Sequence, residues 1–293
     1  MQINFAIMQC MRWDDLKFVL ALHRSGTLVG AGKLLHVNTS TVGRRILALE
    51  KTLGTRLFDR MAGAYHPTSK AKRVVACAEE MEIQANTLTR QIQGSDSRVE
   101  GPVRITALDS FLDRLVVPAL PRLLESHEGL EVTLESDLRL FELSRGEADI
   151  AVRTAQPTHP EMVARSLGLQ TTAFYQAVGQ TWSDDLPLIA LPNSLNHAEY
   201  NALLVKHVAG GRIVARANTE ARITEMVRLG IGIGLIDCFA GEVEPDLERL
   251  PGLGQIEVTL WAVTHVEMRR SARVRTVIDF LSEVVANASM ALQ

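Results

Sequence analysis

Apolar residues recur at helical spacing in three short stretches near the start of the chain. The pattern predicts a first helix from Trp13 to His23 and a second from Leu28 to Leu35, separated by the helix-breaking Ser25-Gly26-Thr27. A third helix is predicted from Asn38 or Thr39 to Leu53, because either residue can cap its first turn and Gly54 can end it. Its buried stripe consists of Val42, Ile46, Leu49 and Leu53.

A short hairpin and a long helix are predicted next. Leu57–Arg60 and Tyr65–Thr68 form the two hairpin strands, with the turn at Ala62-Gly63. Thr68 or Ser69 can cap a helix that continues to about Gln93. Its apolar spacing fits either a coiled-coil seam or a helix packed on its own domain. The apolar positions are Val74, Ala78, Met81, Ala85, Leu88 and Ile92.

Beyond the breaks at 94–97 and 101–102, strand-like and helix-like segments alternate. The βαβαβ order predicts a mainly parallel sheet covered on both faces, and a second such unit follows. Ser271 is predicted to cap a final amphipathic helix. The first unit has strands at 103–107, 130–134 and 149–153 and helices at 112–124 and 138–144. The second has strands at 172–178, 188–191, 212–215, 231–236 and 256–263 and helices at 197–207 and 219–229.

Charge is distributed unevenly along the chain, and this distribution indicates more about function than the total charge does. The 293 residues have a net charge of −3, which alone argues against a nucleic-acid partner. Residues 1–73, however, contain 12 basic and 4 acidic side chains, a net charge of +8, whereas residues 74–293 have a net charge of −11. This asymmetry is typical of a basic DNA-facing module attached to an acidic body, although chance imbalance between domains is the alternative.

The polar face of the third helix carries chemistry suited to DNA. Thr39, Ser40 and Thr41 place short hydroxyls at its start, and Arg44 and Arg45 follow on the same face. Short hydroxyls allow a helix end to enter the major groove, and an arginine fork can bind guanine or a phosphate. The alternative is an amphipathic helix with an ordinary solvated face.

The segment from Leu16 to Ala71 resembles the winged helix-turn-helix of the LysR-type transcription regulators. The matching stretches are GTLVGAGKLLHVNTSTVGRRILALEKTLGTRLFDR and the wing end HPTSKA. The resemblance places Thr39, Ser40, Thr41, Arg44 and Arg45 at DNA-contacting positions, and Arg60 and His66 where backbone or minor-groove contacts occur. It also implies that the helix over 70–93 dimerises the chain, so that two recognition helices read successive half-sites in double-stranded DNA.

The body of the chain resembles the effector-binding domain of the same family, which is two-lobed and periplasmic-binding-protein-like. GPVRITA, GEADIAVR and LGIGIGLI are the matching pieces. The resemblance implies that the lobes exchange chain near 163 and 265 and that a small-molecule effector binds between them. Candidate effector-binding residues follow the ends of strands. They are Leu108, Asp109, Ser110, Arg153, Asn193 and Asn218.

Arg153 and Asp109 give opposite indications about the ligand. Arg153 can pair an anionic ligand, or else form a structural salt bridge. The carboxylate of Asp109 would repel the carboxylate of a simple acid, so no acidic effector is inferred.

The predicted organisation is α/β with four parts. Residues 1–11 form an N-terminal extension, 12–69 an N-terminal all-α winged helix-turn-helix, and 70–94 the long linker helix. Residues 101–293 form the effector-binding domain, with lobe I at about 101–163 and 266–293 and lobe II at about 164–265. The expected assembly is a homodimer, with a homotetramer left open.

The alternative interpretation of the sequence is an enzyme or a ligand-binding α/β protein, in either case with a vestigial DNA-binding module. The glycines of 230–234 lack dinucleotide-binding spacing and lie within an apolar run. Cys238 has no catalytic partner identifiable in the sequence, and the histidines and three cysteines show no metal-ligand spacing. We therefore expect no enzyme activity, no cofactor and no metal. We also expect no signal peptide, no membrane partner and a cytoplasmic location, since the start lacks a basic n-region and no run of 18 apolar residues occurs.

Overall fold

The computed structural model describes residues 13–61, 63–94, 97–136, 143, 148–181, 186–193, 198–208 and 210–291. The expected extension over 1–11, the turn residue Ala62 and all but Leu143 of the helix expected over 138–144 lie outside these ranges. Residues up to Leu88 form one unit and those from Thr89 onward form a second. The elements of the first unit are a turn of 3-10 helix at Trp13–Asp15, α1 Leu16–Ser25, α2 Leu28–Leu34, α3 Thr39–Leu53, β1 Phe58–Met61 and β2 Ala64–Pro67. Helix α4 Ser69–Gly94 begins in the first unit and ends beyond Leu88.

The three predicted N-terminal helices are confirmed, and their ends have local causes. Gly26 and Gly54 end α1 and α3 with φ of 66° and 64°, a region in which glycine lacks the steric penalty of other residues. The Thr27 hydroxyl caps α2 by accepting a hydrogen bond from the Gly30 N–H at 3.0 Å. A Cβ on Gly32 would lie 2.8 Å from the Val37 carbonyl oxygen, so only glycine allows this tight turn into α3.

The predicted hairpin is also confirmed and is fastened to the helices by two contacts. One Glu50 carboxylate oxygen accepts hydrogen bonds from the N–H groups of Leu57 at 2.6 Å and Phe58 at 3.3 Å. The Tyr65 N–H donates a hydrogen bond to the Gly26 carbonyl at 2.8 Å. Glu50 therefore connects α3 directly to the first strand of the wing.

Helix α4 has two different halves. Thr68 caps it as predicted, because its hydroxyl accepts a hydrogen bond from the Ala71 N–H at 3.1 Å. Ala71, Val75 and Ala78 are buried in the core of the first unit. Further along, Leu88 and Ile92 are 60% and 66% exposed. The early half thus packs on its own domain, while the apolar positions of the late half face outward in the single chain.

The second unit is built on a nine-stranded sheet with the order β4-β3-β5-β11-β6-β9-β7-β8, and β10 pairs with β6. Its strands are β3 Gly101–Thr106, β4 Leu130–Glu135, β5 Ile150–Arg153, β6 Met162–Ala177, β7 Pro187–Ala190, β8 Arg212–Arg216, β9 Ile233–Asp237, β10 Leu247–Arg249 and β11 Gln255–His265. Its helices are α5 Asp109–Phe111, continued by a π-helical stretch at Leu112–Val116, then α6 Val117–Ser126, α7 Ala198–His207, α8 Glu220–Arg228, α9 Cys238–Gly241 and α10 Ala272–Ala291.

The expectation of a mainly parallel sheet holds only for two groups of three strands. Strand β3 pairs in parallel with β4 and β5, and β7 pairs in parallel with β8 and β9. Between these groups β11 runs antiparallel to β6 along the whole length of β11, from Gln255 opposite Ala173 to His265 opposite Met162. The predicted start of this strand at 172 is wrong: β6 begins at Met162, and its first half, MVARSLGLQ, has no regular apolar alternation by which a strand could be predicted. The β6–β11 pairing is irregular between Leu260 and Trp261.

The last helix begins where it was expected but is not capped as expected. Helix α10 starts directly after Ser271, and its Val274, Val277 and Leu281 are fully buried in the core beside β3 and β5. The Ser271 hydroxyl is buried and has no hydrogen-bond partner among the described residues, so it does not cap the helix. Burial of the apolar face therefore contributes more to this helix than capping does.

Candidate DNA interface and ligand crevice

The start of α3 presents the predicted DNA-contacting hydroxyls. Thr39 and Ser40 are exposed, Thr41 is half-buried, and the preceding residue Asn38 makes no side-chain capping bond. An open depression of about 730 Å³ lies beside this helix end, between α2 and α3. Its lining residues include Lys33 and His36, so the helix end is approachable and lies near the positive charge of Lys33.

The two adjacent arginines of α3 have different surroundings. Arg44 is exposed, whereas Arg45 is half-buried. One Nη of Arg45 lies 2.9 Å from an Oδ of Asp15, whose side chain is only 6% exposed. The Arg45 guanidinium also lies 5.7 Å from the ring centroid of Phe18. Arg45 thus joins α3 to the start of α1, which the sequence could not reveal because Asp15 lies 30 positions away.

The two predicted wing contacts do not share a face. Asp59 pairs with His66 across the hairpin, and Arg60 pairs with Tyr65. Because residues directly opposite each other project to the same side of a two-stranded ribbon, Arg60 and His66 lie on opposite sides. Both side chains are exposed, while Tyr65 packs against the core of the first unit.

Arg153 is the last residue of β5, and the other five predicted effector residues lie two to four positions after the ends of β3, β7 and β8. Leu108 is 41% exposed, and Asp109 begins α5. Arg153, the last residue of β5, donates hydrogen bonds to the carbonyls of Thr106 at 3.2 Å and Val152 at 2.8 Å. In the part of the chain that the structure describes, Arg153 forms no ion pair with a carboxylate, and burial lowers the pKa of its guanidinium.

No contact between described residues places Asn193 or Asn218 beside the other candidate effector-binding residues. Asn193 is exposed, and the Asn218 side-chain oxygen accepts a hydrogen bond from Arg222 at 2.7 Å. Ser110 is different, because it is 7% exposed and belongs to α5, which packs against α8. Ser110 thereby reaches two carboxyl groups that sequence reasoning missed, those of Glu220 and Asp237.

Glu220, the first residue of α8, and Asp237, the last residue of β9, form a pair of adjacent carboxyls. Asp237 is 4% exposed, and its N–H donates to a carboxylate oxygen of Glu220 at 3.2 Å. Thr172 on β6 donates its hydroxyl hydrogen to Asp237 at 2.7 Å. Burial raises the pKa of both carboxyls, and the pKa of Glu220 lies well above its usual range because Asp237 adds like charge. No sequence signal marked the pair, since its members are separated by 17 positions.

A separate cavity of about 260 Å³ lies elsewhere in the second unit and includes none of the six predicted effector residues. Cys238 and Glu242 are on its wall, and the Tyr175 hydroxyl donates to Glu242 at 2.9 Å. Burial raises the pKa of the Cys238 thiol, which disfavours the thiolate that a nucleophile requires. Its lining is completed by Leu115, Leu169, Gln170, Thr171, Phe239, Arg249, Gln255, Glu257, Leu260, Val285 and Ala288.

No three His, Cys, Asp or Glu side chains of the described residues lie close enough together to form a metal site. Within the same ranges, no helix has the length and apolar character needed to cross a bilayer.

A winged helix-turn-helix followed by a two-part α/β unit defines a DNA-binding regulator with a ligand-sensing domain. Comparisons agree with the geometry. A family model described as the bacterial regulatory helix-turn-helix protein of the lysR family matches residues 13–72, and the LysR substrate binding domain matches residues 96–286. The chain belongs to the LysR family of bacterial transcription regulators, and it has a DNA-binding and an effector-binding domain.

Individual relatives cover most of the chain. The Mau operon transcriptional activator of Paracoccus denitrificans is 26% identical over 284 residues, covering 94% of this chain and 97% of that protein. The transcriptional activator protein LysR of Escherichia coli strain K12 is 28% identical over 249 residues, 74% of each chain. The full-length Vibrio cholerae virulence activator AphB has the same fold, with a TM-score of 0.62, 19% identity and coverage of 92% and 98%.

Proposed function

We propose that α3 reads double-stranded DNA through its exposed N-terminal end. Thr39, Ser40 and Thr41 contact base edges or phosphates, and Arg44 supplies a guanidinium fork to a guanine or a phosphate. The observation that carries the proposal is the exposure of this helix end in a basic segment, with no side chain of the described residues covering Thr39 or Ser40. In this arrangement Arg45 acts on DNA indirectly, by holding α3 to Asp15.

We expect the wing to contact DNA through only one of its two faces. His66 and Arg60 are both exposed but project to opposite sides of the hairpin. We expect one of them to contact the DNA backbone or minor groove and the other to remain in solvent. The wing also lacks a further basic residue between them, so its contribution to affinity is small.

The chain functions as a homodimer joined through the late half of α4, with a tetramer as the larger alternative. Exposed Leu88 and Ile92 lie on the apolar stripe of that helix, and their burial in a second copy would remove apolar surface from water. Two recognition helices then face half-sites separated by whole turns of DNA.

A small-molecule effector binds in the crevice of the second unit, where Leu108, Asp109, Ser110, Arg153 and the loop after β8 lie at strand ends. Crevices at the carboxyl ends of parallel strands are the usual ligand positions in open α/β sheets. A transcription regulator must reach chromosomal DNA, so we infer a cytoplasmic location. It acts by binding and not by catalysis, and Asn193 and Asn218 stay candidates at the rim.

The experiment is a titration of genomic duplex fragments, recovered with the protein from its host, across a range of salt concentrations. Loss of one phosphate contact reduces the slope of log affinity against log salt by about 0.9, so the variant should lose about threefold less affinity than the parent between 50 and 200 mM salt. We expect Arg44→Ala to bind more weakly than the parent at 50 mM salt and to show this shallower slope. The matched control is Arg122→Ala, which removes an exposed arginine of the second unit. An unchanged slope and affinity for Arg44→Ala would refute the proposed interface.

A further inference from the structure

The second unit contains a cavity of about 260 Å³ that can hold a small organic ligand. For comparison, an apolar protein cavity of about 150 Å³ binds benzene. The larger volume of this cavity admits a single ring with a short substituent. None of the six candidate effector residues lines the cavity, so a ligand bound in it would occupy a site separate from the proposed effector crevice.

The buried part of the cavity wall carries no charge. Leu260 and Val285 are 3% and 2% exposed, and the other buried lining residues are Gln170, Cys238 and Phe239. Burial raises the pKa of the Cys238 thiol, and a neutral thiol behaves as a small hydrophobic side chain. A charged group placed here would lose its hydration without gaining an opposite charge, whereas an apolar ring is stabilised by leaving water.

The exposed rim of the cavity is polar, and its charged side chains already have partners. The buried Tyr175 hydroxyl donates a hydrogen bond to Glu242 at 2.9 Å, and an Nη of Arg249 lies 3.6 Å from the same carboxylate oxygen. Arg249 also donates to Gln255, whose side-chain amide donates to Glu257 at 3.0 Å. An anion would have to compete with Glu242 for the guanidinium. A ligand hydroxyl needs no such exchange, because the Glu257 carboxylate can accept more than one hydrogen bond.

Two irregularities of the backbone lie in the cavity wall. Leu115 belongs to the π-helical stretch at Leu112–Val116, and such stretches occur frequently at functional sites. Leu260 lies at the point where the pairing of β6 with β11 becomes irregular, and β-bulges are over-represented next to active sites. Their coincidence at one cavity favours a ligand site over a packing defect.

We propose that this cavity binds a neutral aromatic molecule that carries one hydroxyl group. The ring packs against Leu260 and Val285, and the hydroxyl donates a hydrogen bond to Glu257 at the rim. The wall includes residues from both sides of the two long antiparallel strands, since Leu115 comes after β3 along the chain and Cys238 comes directly after β9. A bound ligand therefore contacts elements of both parallel groups of strands and links them.

Three probes with the same ring test the charge of the ligand. The full-length protein is titrated with benzyl alcohol, benzoate and benzylammonium at constant ionic strength, and binding is followed by calorimetry. We expect a dissociation constant of about 1 mM for benzyl alcohol, because it has few atoms, and roughly tenfold weaker binding of the two ions. At ten times its dissociation constant, benzyl alcohol should slow hydrogen exchange through local opening of the segments that contain Leu115 and Cys238 about tenfold.

Variants that fill the cavity separate this site from others on the protein. Ala288→Phe adds a ring from α10 and should weaken the binding of benzyl alcohol by roughly tenfold or more. The matched control Ala286→Phe adds the same ring at an exposed position of the same helix and should bind as the parent does. Leu115→Trp fills the cavity from the π-helical stretch, so a folding defect in one variant does not decide the result.

Two results would overturn the proposed site. One is equal binding of benzyl alcohol to the parent, Ala288→Phe and Leu115→Trp proteins, which would place the ligand elsewhere, and the other is no binding to the parent at all. Tighter binding of benzoate or benzylammonium, lost in Ala288→Phe, would refute the neutral ligand while retaining the cavity as a binding site. The six candidate effector residues are unchanged in every variant, so none of these results tests the proposed effector crevice.

Discussion

Arg45 gives the sharpest prediction about how the DNA-binding unit is held together. The Arg45→Ala substitution removes the hydrogen-bonded partner of the Asp15 carboxylate, which is 6% exposed. It also removes the guanidinium that lies beside the Phe18 ring. Asp15 would remain buried beside the start of α1 without a positive charge.

The expected cost follows from the burial of the two partners. Breaking a fully buried ion pair costs roughly 3–5 kcal/mol, and leaving a buried acceptor without its hydrogen bond costs roughly 1–3 kcal/mol. The Arg45 side chain is 28% exposed, so water screens part of the interaction. We therefore expect a loss of about 2 kcal/mol, which is about a 30-fold change in the local unfolding equilibrium. Arg44→Ala should change stability by less than about 0.5 kcal/mol, because Arg44 is exposed.

Hydrogen exchange of the α3 amides in the full-length protein measures this difference directly. Exchange through opening of α3 should be about 30-fold faster in Arg45→Ala and within about twofold of the parent in Arg44→Ala. The reasoning would be refuted if the two variants exchanged equally. Combining Arg45→Ala with Asp15→Asn should recover part of the loss, since the unpaired charge is then absent.

Three further predictions concern other contacts. Leu88→Glu should convert dimers to monomers in analytical ultracentrifugation without unfolding the chain. Ala76→Glu, on the opposite side of α4, should leave the dimer intact. Dimers that persist in Leu88→Glu would contradict the α4 interface. Glu50→Ala should destabilise the wing by about 1–3 kcal/mol, because two backbone N–H groups lose their acceptor; unchanged exchange of the β1 amides would contradict this. Gly241→Ala should lower the unfolding temperature by an amount equivalent to about 1–3 kcal/mol, because the added Cβ would overlap the Tyr175 ring; an unchanged unfolding temperature would show that the ring can move aside.

Local pattern was enough to predict the helices of the first unit and most strands of the second. Such features depend on spacing and capping residues that lie within a few positions of each other, as at Thr27 and Thr68. The long strand β6 was only partly predicted, because its first half, MVARSLGLQ, has no regular apolar alternation. It is fixed by pairing with β11, which lies about 90 positions later.

The candidate sites were predictable in residue type but not in detail. The sequence placed Arg44 and Arg45 together on a polar face, and only the fold shows that Asp15 pairs with the second of them. Likewise the sequence suggested Ser110 from its place after a strand, but not the carboxyls of Glu220 and Asp237 beside it. Contacts between residues far apart in the chain decide both sites, and no local pattern encodes them.

If α3 reads DNA with the hydroxyls and the arginine at its N-terminal end, methylation protection of guanine N7 on a recovered operator should detect it, because N7 is an acceptor in the major groove. We expect two symmetric protected sites separated by a whole number of helical turns, about 10–10.5 base pairs each, and their loss in Arg44→Ala but not in Arg122→Ala. Protection that is absent, or that is unchanged in Arg44→Ala, would contradict it.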